Sequence, residues 1–339
     1  MIASLSNRFV ELGDTVTVTV LDDTESAYEL DSRVNFLRLN IAQDSETPLQ
    51  AAGNQIRKMR AIKKTYQSER PDVIVAFDVQ LATLAKLAVP SARVVGSERA
   101  NPYLVRNGFP KNLFVSLSKI VDGFVFQTQG AKGFYPPKTQ KKSEVIPNGV
   151  FCALPSEIPA YDTRSLSICA TGSLRRVKRY DLLLDAFSRV SAPLTLHIYG
   201  DGELRDALKQ QAEDLGISDR VVFEGNCADI AAKLVTHQIF VLSSDHEGMP
   251  NGLMEAMACG CACVSTDCDF GPSELISNEE NGLLVPCGDA ERLAEAIERI
   301  ASDPALGEAL SQNARNLIKT HSPAVIADRF RTYFKHVCS

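Results

Sequence analysis

The stretch formed by residues 238–266 constrains the fold of this chain more than any other. The apolar run Ile-Phe-Val-Leu at 239–242 predicts a buried strand, and a polar loop follows it. A short helix comes next, with Asn251 as its predicted N-cap and Gly260 as its stop. A second apolar run at 261–264 predicts another strand. The stretch therefore predicts a strand–loop–helix–strand unit whose loop carries the chemistry.

The start of this helix has the features of an anion site. The first backbone N–H groups of a helix have no partner within the helix, and the helix dipole favours negative charge there. Gly252 would let a ligand approach the backbone closely. Glu247 in the loop and Glu255 about one turn into the helix bracket the site, which predicts a phosphate between two carboxylates. Two ordinary surface acids would give the same pattern, so both interpretations stay open at this point.

The segment EGMPNGLMEAMACG places Glu247 and Glu255 eight positions apart and resembles the E-x7-E signature of glycosyltransferase family 4. Enzymes of that family are retaining and sugar-nucleotide-dependent, and have the GT-B fold, in which two Rossmann-like domains face a cleft. The resemblance implies that Glu255 binds the ribose and that Glu247 lies beside the donor sugar. It also implies that the diphosphate and sugar lie against the backbone of Met249, Pro250, Asn251 and Gly252.

Length and composition are those of a globular protein with two domains. The chain has 339 residues, of which 45% are hydrophobic and 23% charged. No run of about eighteen apolar residues predicts a membrane-spanning helix, and residues 1–12 lack the layout of a signal peptide. Nine cysteines in a chain without an export signal indicate reduced thiols, so we expect a cytoplasmic location.

Cys259, Cys261 and Cys263 form a C-x-C-x-C run, a pattern that can bind metal. The run straddles a predicted helix end and a predicted buried strand, and no second group of Cys or His follows at ligand spacing. We therefore expect buried thiols that fill the core, and no metal site.

Charge is distributed unevenly along the chain, whose net charge is −6. Residues 1–150 contain 19 Lys and Arg against 15 Asp and Glu, a balance of +4. The remainder contains 17 against 27, a balance of −10. The first half is therefore the better candidate for an anionic partner, and nothing indicates nucleic-acid binding.

A helix predicted at 50–69 concentrates the positive charge. Its apolar face is predicted from Ile56, Met59 and Ile62. Its cationic residues are Arg57, Lys58, Arg60, Lys63 and Lys64. A basic amphipathic helix of this kind predicts contact with an anionic membrane at its cytoplasmic face, while a solvated helix is the alternative.

Strands and helices alternate through the first half of the chain, which predicts a parallel sheet with right-handed crossovers. Helices are predicted at 2–12, 50–69, 79–88 and near 110–120, and strands at 15–21, 34–39, 73–77, 93–96 and 123–127. The chain starts inside the first helix, whereas a domain of this family starts with a strand and a Gly-rich turn. We therefore expect a first domain without its first strand, from a misassigned start or a damaged gene product, and lower stability and activity than in a longer form.

The segment SERANP follows a predicted strand at its carboxyl end, where open α/β sheets bind ligands. It resembles an S-E-R-x-N-P segment in a subset of family 4 enzymes that build surface polysaccharides. Many members place a histidine near this point, but this chain has no histidine before His197. Glu98 and Arg99 are therefore predicted to shape the acceptor side of the active site. A structural Glu–Arg pair is the alternative.

The second domain is predicted to open with a strand at 167–171 and a basic turn from Gly172 to Lys178. In the family, an arginine directly after this glycine and a lysine six residues after it hold the diphosphate. Lys178 matches the lysine, whereas Ser173 occupies the arginine position. Arg175 or Arg176 is predicted to supply the missing charge, and the sequence does not decide which. The alternative is a solvated basic turn.

Further turns of the second domain resemble family segments around the nucleotide. Gly200 ends a predicted strand at 194–199, and Gly225 and Asn226 follow one at 221–224. The turn that starts at Gly200 has the sequence Gly-Asp-Gly. A G-x-G turn alone is weak evidence for nucleotide binding, but this turn lies between the basic turn and the E-x7-E segment. The predicted boundaries are 1–152 for the acceptor-side domain, 153–321 for the nucleotide-sugar domain, and 322–339 for a helix that returns to the first domain.

Together these features predict a retaining, metal-independent glycosyltransferase without a cofactor other than its sugar-nucleotide co-substrate. A UDP-sugar is the favoured donor, and a carbohydrate or lipid-linked molecule in surface polysaccharide or glycan assembly is the predicted acceptor. Two carboxylates can also serve a glycoside hydrolase, but an anion site between them suits a nucleotide. The alternative from another class is a catalytically weak sugar-nucleotide binder, or a subunit that supports an active partner.

Overall fold

The computed structural model describes residues 1–26, 28–44, 47–99, 102 and 111–339. These residues form two compact units. One comprises Met1–Gly149 with Pro323–Ser339, and the other comprises Val150–Ser322. The sequence places the corresponding boundaries after residues 152 and 321.

Strands and helices alternate along the described chain. The strands are β1 Thr17–Val20, β2 Asn35–Arg38, β3 Ile74–Ala76, β4 Val94–Glu98, β5 Gly123–Phe126, β6 Ser143–Val145, β7 Ser165–Thr171, β8 Leu196–Tyr199, β9 Val221–Gly225, β10 His237–Leu242, β11 Ala262–Thr266 and β12 Leu283–Val285. The helices are α1 Ile2–Glu11, α2 Pro48–Glu69, α3 Val79–Ala88, α4 Lys111–Leu117, α5 Gln129–Gly133, α6 Pro137–Gln140, α7 Tyr180–Ser188, α8 Arg205–Asp214, α9 Ile230–Leu234, α10 Asn251–Ala258, α11 Pro272–Leu275, α12 Ala290–Ser302, α13 Pro304–Ala314, α14 Ile318–His321 and α15 Pro323–Cys338.

The described strands of the first unit form two parallel sheets, β1–β2 and β3–β4–β5–β6. The sequence predicts a first domain without its first strand, and among the described strands none joins these two sheets. Helix α15 belongs to this unit, because the Phe124 backbone N–H donates to Tyr333 Oη at 2.8 Å. The rings of Phe9 and Phe334 also meet edge to face, with centroids 6.1 Å apart.

Helix α2 has two different faces. One packs against the first unit, and the other is exposed to solvent. Met59 and Ile62 pack against its hydrophobic core, as the apolar spacing predicts. The apolar spacing also predicts Ile56 on this face, but 51% of Ile56 is exposed. It lies instead along the outer stripe of the helix with Leu49, which is 84% exposed. No helix in the described ranges is both long and apolar enough to span a membrane.

The second unit contains a six-stranded parallel sheet in the order β12-β11-β10-β7-β8-β9. Successive strands run outward in both directions from the central pair, β7 and β10. That pair is the topological switch point, and the loops at its carboxyl ends border the crevice where such sheets bind ligands. The loop after Thr171 and the loop after Leu242 are therefore placed together by topology alone.

Apolar residues cover both faces of this sheet, as expected for buried parallel strands. Ile168 and Ile239 point into the core that contains Leu183 of α7. Phe240 points to the opposite face, where it packs with Leu253 of α10. The α/β class and parallel sheet predicted from the sequence are confirmed here.

Helix α10 has the expected position with a shifted start. Its N-cap is Pro250, so Asn251, the predicted N-cap, is the first helical residue. The helix ends before Gly260, whose φ of +74° is the left-handed conformation that glycine adopts at a helix C-terminus.

Candidate functional site

The candidate site begins where the loops after β7 and β10 meet. Lys178 Nζ donates to Glu247 Oε1 at 2.6 Å. Ser244 Oγ donates to the same carboxylate oxygen at 2.7 Å. The Glu247 side chain is 9% exposed and that of Lys178 is 23% exposed, so their ion pair is largely shielded from water. The two residues that the resemblance assigns to the diphosphate and the sugar are therefore in direct contact.

Backbone contacts join the two loops beside this ion pair. Ser243 Oγ donates to the carbonyl oxygen of Lys178 at 2.9 Å. The Asp245 backbone N–H donates to the carbonyl oxygen of Val177 at 3.0 Å. These bonds fix the backbone on either side of the ion pair, so its geometry does not depend on two flexible side chains alone.

Glycines allow the loops of the site to approach one another. A Cβ atom on Gly252 would lie 2.3 Å from Thr171 Oγ1, and one on Gly200 would lie 2.0 Å from the carbonyl oxygen of Gly172. Both distances are too short for any side chain. For Gly252, the sequence suggests close approach by a ligand, whereas the structure gives close approach by Thr171 as the physical reason.

The glycine turns of β8 and β9 join the same region. The Gly200 N–H donates to the carbonyl oxygen of Gly225 at 2.7 Å, and the Gly172 N–H donates to that of Tyr199 at 2.9 Å. Met249 and Pro250 are buried in the loop before α10, whereas Asn226 is exposed. Three glycines singled out in the sequence thus lie on adjoining turns.

Glu255 lies in the second turn of α10, with its side chain in a partly desolvated position. Burial raises the pKa of its carboxyl group to about 7. The Glu255 carboxylate is therefore readily protonated near neutral pH, unless a ligand donates hydrogen bonds to it.

The far end of α10 is held by a residue that the sequence did not identify. Arg164 is 7% exposed, and its Nη1 donates to the carbonyl oxygen of Gly260 at 2.6 Å. Ser311 Oγ donates to the same oxygen at 2.7 Å. A cation at a helix C-terminus complements the dipole. The burial that this position imposes lowers the pKa of Arg164. No local motif could predict this contact, because it joins residues 96 positions apart.

Among the polar side chains predicted in the basic turn, that of Lys178 joins this cluster. Ser173, Arg175 and Arg176 are exposed, and neither arginine forms an ion pair within the described part of the chain. Lys178, at the end of a short 3-10 turn, reaches Glu247. The idea that an arginine replaces the missing clamp residue therefore stays a prediction.

Glu98 and Arg99 lie at the end of β4, in the first unit. Tyr135 Oη donates to Glu98 Oε2 at 2.7 Å, and Glu98 is 4% exposed. Arg99 Nη1 donates to the carbonyl oxygen of Ile146 at 3.0 Å, and its guanidinium lies 5.2 Å from the centroid of the Phe330 ring. Burial lowers the pKa of Arg99 to about 9. These contacts suit the structural alternative, and the acceptor role stays a prediction.

Two other sequence features have a simple outcome. Ala100 and Asn101 of the SERANP segment lie outside the described residues. The thiols Cys259, Cys261 and Cys263 are fully buried, which confirms the expectation that they fill the core. Within the described ranges, no group of three or more His, Cys, Asp or Glu residues is arranged to hold a metal ion.

Comparison with known proteins shows a similarity over the part of the chain that carries the site. The family model "Glycosyl transferases group 1" matches residues 157–317. The match covers most of the second unit, Val150–Ser322. Residues Lys178, Glu247 and Glu255 all lie within the matched range.

Two curated relatives resemble the chain over about half its length. The lipopolysaccharide core biosynthesis glycosyltransferase LpsE of Rhizobium meliloti (strain 1021) is 37% identical over 48% of this chain and 48% of its own length. The N-acetylgalactosamine-N,N'-diacetylbacillosaminyl-diphospho-undecaprenol 4-alpha-N-acetylgalactosaminyltransferase of Campylobacter jejuni is 31% identical over 47% of this chain and 44% of its own length. The chain thus spans about half the length of the curated relatives it matches.

Solved structures confirm the fold over nearly the whole chain. A sucrose-phosphate synthase from Thermosynechococcus elongatus gives a TM-score of 0.82 with 18% identity, covering 99% of this chain and 92% of that one. Anabaena Alr3699/HepE in complex with UDP and glucose gives 0.77 with 17% identity, covering 99% and 95%. The expected GT-B fold is therefore confirmed, and at these identities the likeness concerns the fold alone.

Proposed function

We propose that the protein is a retaining glycosyltransferase, similar to family 4, that moves a sugar from a nucleotide donor to a carbohydrate or lipid-linked acceptor. The observation that carries this proposal is the contact between Lys178 and Glu247 at the switch point of the second sheet. A cation, a carboxylate and the first turn of α10 lie together there, inside the matched domain. That combination suits an anionic sugar nucleotide better than an uncharged glycan.

In this proposal, the diphosphate takes the place of Glu247 as the partner of Lys178. The ammonium group and the amides at the start of α10 then stabilise the charge that develops on the departing diphosphate. Glu247, released from Lys178, accepts hydrogen bonds from the donor sugar. Glu255 accepts hydrogen bonds from the ribose, which favour its charged form.

The donor and acceptor that we propose for this protein are based on proteins similar to it. Alr3699/HepE was solved with UDP and glucose, which supports a UDP-sugar donor. The two curated relatives are named for lipopolysaccharide core biosynthesis and for a diphospho-undecaprenol-linked glycan. We extend these to a role in surface polysaccharide or glycan assembly, with no cofactor and no metal ion required.

Helix α2 is proposed to hold the enzyme at the cytoplasmic face of an anionic membrane. Leu49 and Ile56 are exposed on its outer stripe, which continues into exposed Arg60, Lys63 and Lys64. None of the five cations of this helix forms an ion pair within the described ranges. Apolar groups beside unpaired cations fit a surface of anionic headgroups.

A second candidate function is a sugar-nucleotide-binding subunit with little activity of its own. Ser173 favours it, because a neutral side chain stands where related enzymes have a phosphate-binding arginine. This candidate predicts UDP binding without turnover.

A donor screen separates the two functions. The purified chain is incubated with individual sugar nucleotides, and hydrolysis and transfer to carbohydrate acceptors are followed by mass spectrometry. Nuclear magnetic resonance of a transferred sugar then reports its anomeric configuration. We expect one UDP-sugar to be consumed with retention. Inverted product contradicts the retaining assignment, and tight UDP binding without turnover of any donor supports the binding subunit.

A further inference from the structure

Arg179 has an unusual backbone conformation directly beside Lys178. Its φ is +49° and its ψ is +44°, at the junction between the short 3-10 turn and α7. This left-handed conformation is unfavourable for any residue with a Cβ atom, whereas glycine adopts it freely. An arginine at such a position therefore needs a compensating contribution from its side chain.

The guanidinium group makes contacts in two directions. Arg179 Nε donates to Asp181 Oδ1 at 3.0 Å, within the first turn of α7. Its Nη1 donates to Asp245 Oδ1 at 2.9 Å, in the loop that carries Glu247. The contact with Asp181 is local, since the two residues are two positions apart. The contact with Asp245 crosses between the two loops of the site.

Two ion pairs thus lie side by side between the loops. Lys178 pairs with Glu247, and its neighbour Arg179 pairs with Asp245, two residues before Glu247. The left-handed turn at Arg179 lets consecutive side chains reach separate partners. The hydrogen bond from the Asp245 backbone N–H to the Val177 carbonyl oxygen joins the same two loops.

We propose that Arg179 is a positioning residue that acts through Asp245. By joining the two loops, it holds the Lys178 ammonium and the Glu247 carboxylate in the relative position needed for a sugar nucleotide. It contacts neither the diphosphate nor the sugar itself. This proposal rests on the proposed function for its ligand, although the loop geometry that it explains exists without one.

Four substitutions separate the effect of the Arg179 charge from the effect of its backbone conformation. R179G keeps the left-handed conformation without strain and removes the guanidinium group, whereas R179A removes the group and keeps the strain. D245N weakens the contact between the loops. D181N is the matched control, because it weakens the other carboxylate contact of the same guanidinium group within α7.

The first measurement is donor turnover together with the urea midpoint of unfolding. We expect R179G and D245N each to lower kcat about tenfold or more, and R179G/D245N to be no worse than either single variant. The kcat of D181N should stay within about twofold of wild type, and R179K should recover part of the kcat lost in R179G. The urea midpoint of R179G should not fall below that of wild type. Wild-type turnover in R179G, or turnover that simply follows the midpoint across the variants, would overturn the proposal.

The second measurement needs no ligand and therefore separates this proposal from the proposed function. The coupling between K178M and E247Q in the urea midpoint is measured in the wild-type and R179G backgrounds. We expect coupling in the wild type and its loss in R179G. Equal coupling in both backgrounds overturns the positioning role, even if no sugar nucleotide is ever turned over.

Discussion

Lys178 Nζ and Glu247 Oε1 are 2.6 Å apart, although 69 residues separate them in the chain. The contact exists because β7 and β10 are adjacent at the centre of the sheet and each sends its loop to the same edge. A bound diphosphate would have to compete with Glu247 for the ammonium group. The free site therefore contains an internal anion where we propose that the donor phosphate binds.

The raised pKa of Glu255 predicts a pH dependence of UDP binding. With a pKa of about 7, Glu255 is mostly protonated at pH 6 and mostly ionised at pH 8. Ribose hydroxyls favour the ionised form, so the affinity should increase by about tenfold between these pH values. Because UDP also titrates in this range, the quantity to measure by calorimetry is the ratio of wild-type to E255Q affinity. A ratio that does not change with pH contradicts a ribose role for the Glu255 carboxylate.

The close approach of Gly252 to Thr171 predicts a specific rescue. G252A would place Cβ 2.3 Å from Thr171 Oγ1, so the start of α10 must shift. We expect a loss of about 1–3 kcal/mol in the free energy of unfolding, typical of overpacking, and weaker UDP binding. In the double variant G252A/T171A the obstructing oxygen is absent, so much of the stability and of the UDP affinity should return. In G252A/T171S the oxygen remains, so neither should return. Equal recovery with T171S and T171A would show that the clash is not the cause.

A buried histidine predicts how stability changes with acid. His237 Nδ1 lies 2.7 Å from Ser167 Oγ and its Nε2 lies 2.9 Å from Tyr199 Oη. Burial, with a smaller effect of nearby His197, lowers the pKa of His237 to about 4. The unfolded chain therefore binds the proton first as the pH falls, and stability present above about pH 6.5 is lost progressively down to about pH 4.

The test compares urea unfolding at pH 7 and pH 5. The wild type should lose about 2 kcal/mol more than H237Q over this interval, because glutamine does not titrate. The control is H197Q, which removes the neighbouring imidazole, 4.8 Å away between ring centroids, that pairs with Glu224. If wild type and H237Q lose equal stability, His237 is not the group responsible.

The outer stripe of α2 predicts reversible binding to anionic vesicles. Each Lys or Arg near such a surface contributes about 1 kcal/mol, so R60A/K63A/K64A should weaken co-sedimentation by roughly a hundredfold. K138A/K141A/K209A removes three exposed lysines elsewhere and should have little effect. Binding should also fall as salt is added. Equal sedimentation with neutral and anionic lipid would favour a solvated helix.

The sequence predicted best those elements whose apolar pattern is strong. The runs that became β7, β10 and β11 are buried on both faces and lie close to their predicted positions. The sequence does not predict helix α8, because its apolar pattern is weak. In RDALKQQAED, the buried residues are Leu208 and Ala212. Strand β6 has three half-buried residues and little pattern of its own.

Within the site, the sequence could identify residue types but not their contacts. The spacing of Glu247 and Glu255 and the lysine of the basic turn were evident, because each belongs to a local motif. The contacts of Arg164 with Gly260 and of Arg179 with Asp245 join residues 96 and 66 positions apart. Only the arrangement of strands brings such residues together, so no local signal could predict them.

The most direct test of the proposed site is the affinity for UDP of wild type, K178M and E247Q, measured by calorimetry at two salt concentrations. Removing Lys178 should weaken binding about tenfold or more and reduce its dependence on salt, because a charge–phosphate contact is lost. Removing the negative charge of Glu247 should leave UDP affinity unchanged or higher, since the ammonium group no longer has a competing partner. Unchanged affinity in K178M, or an equal loss in both variants, would contradict the assignment of Lys178 to the diphosphate and Glu247 to the sugar.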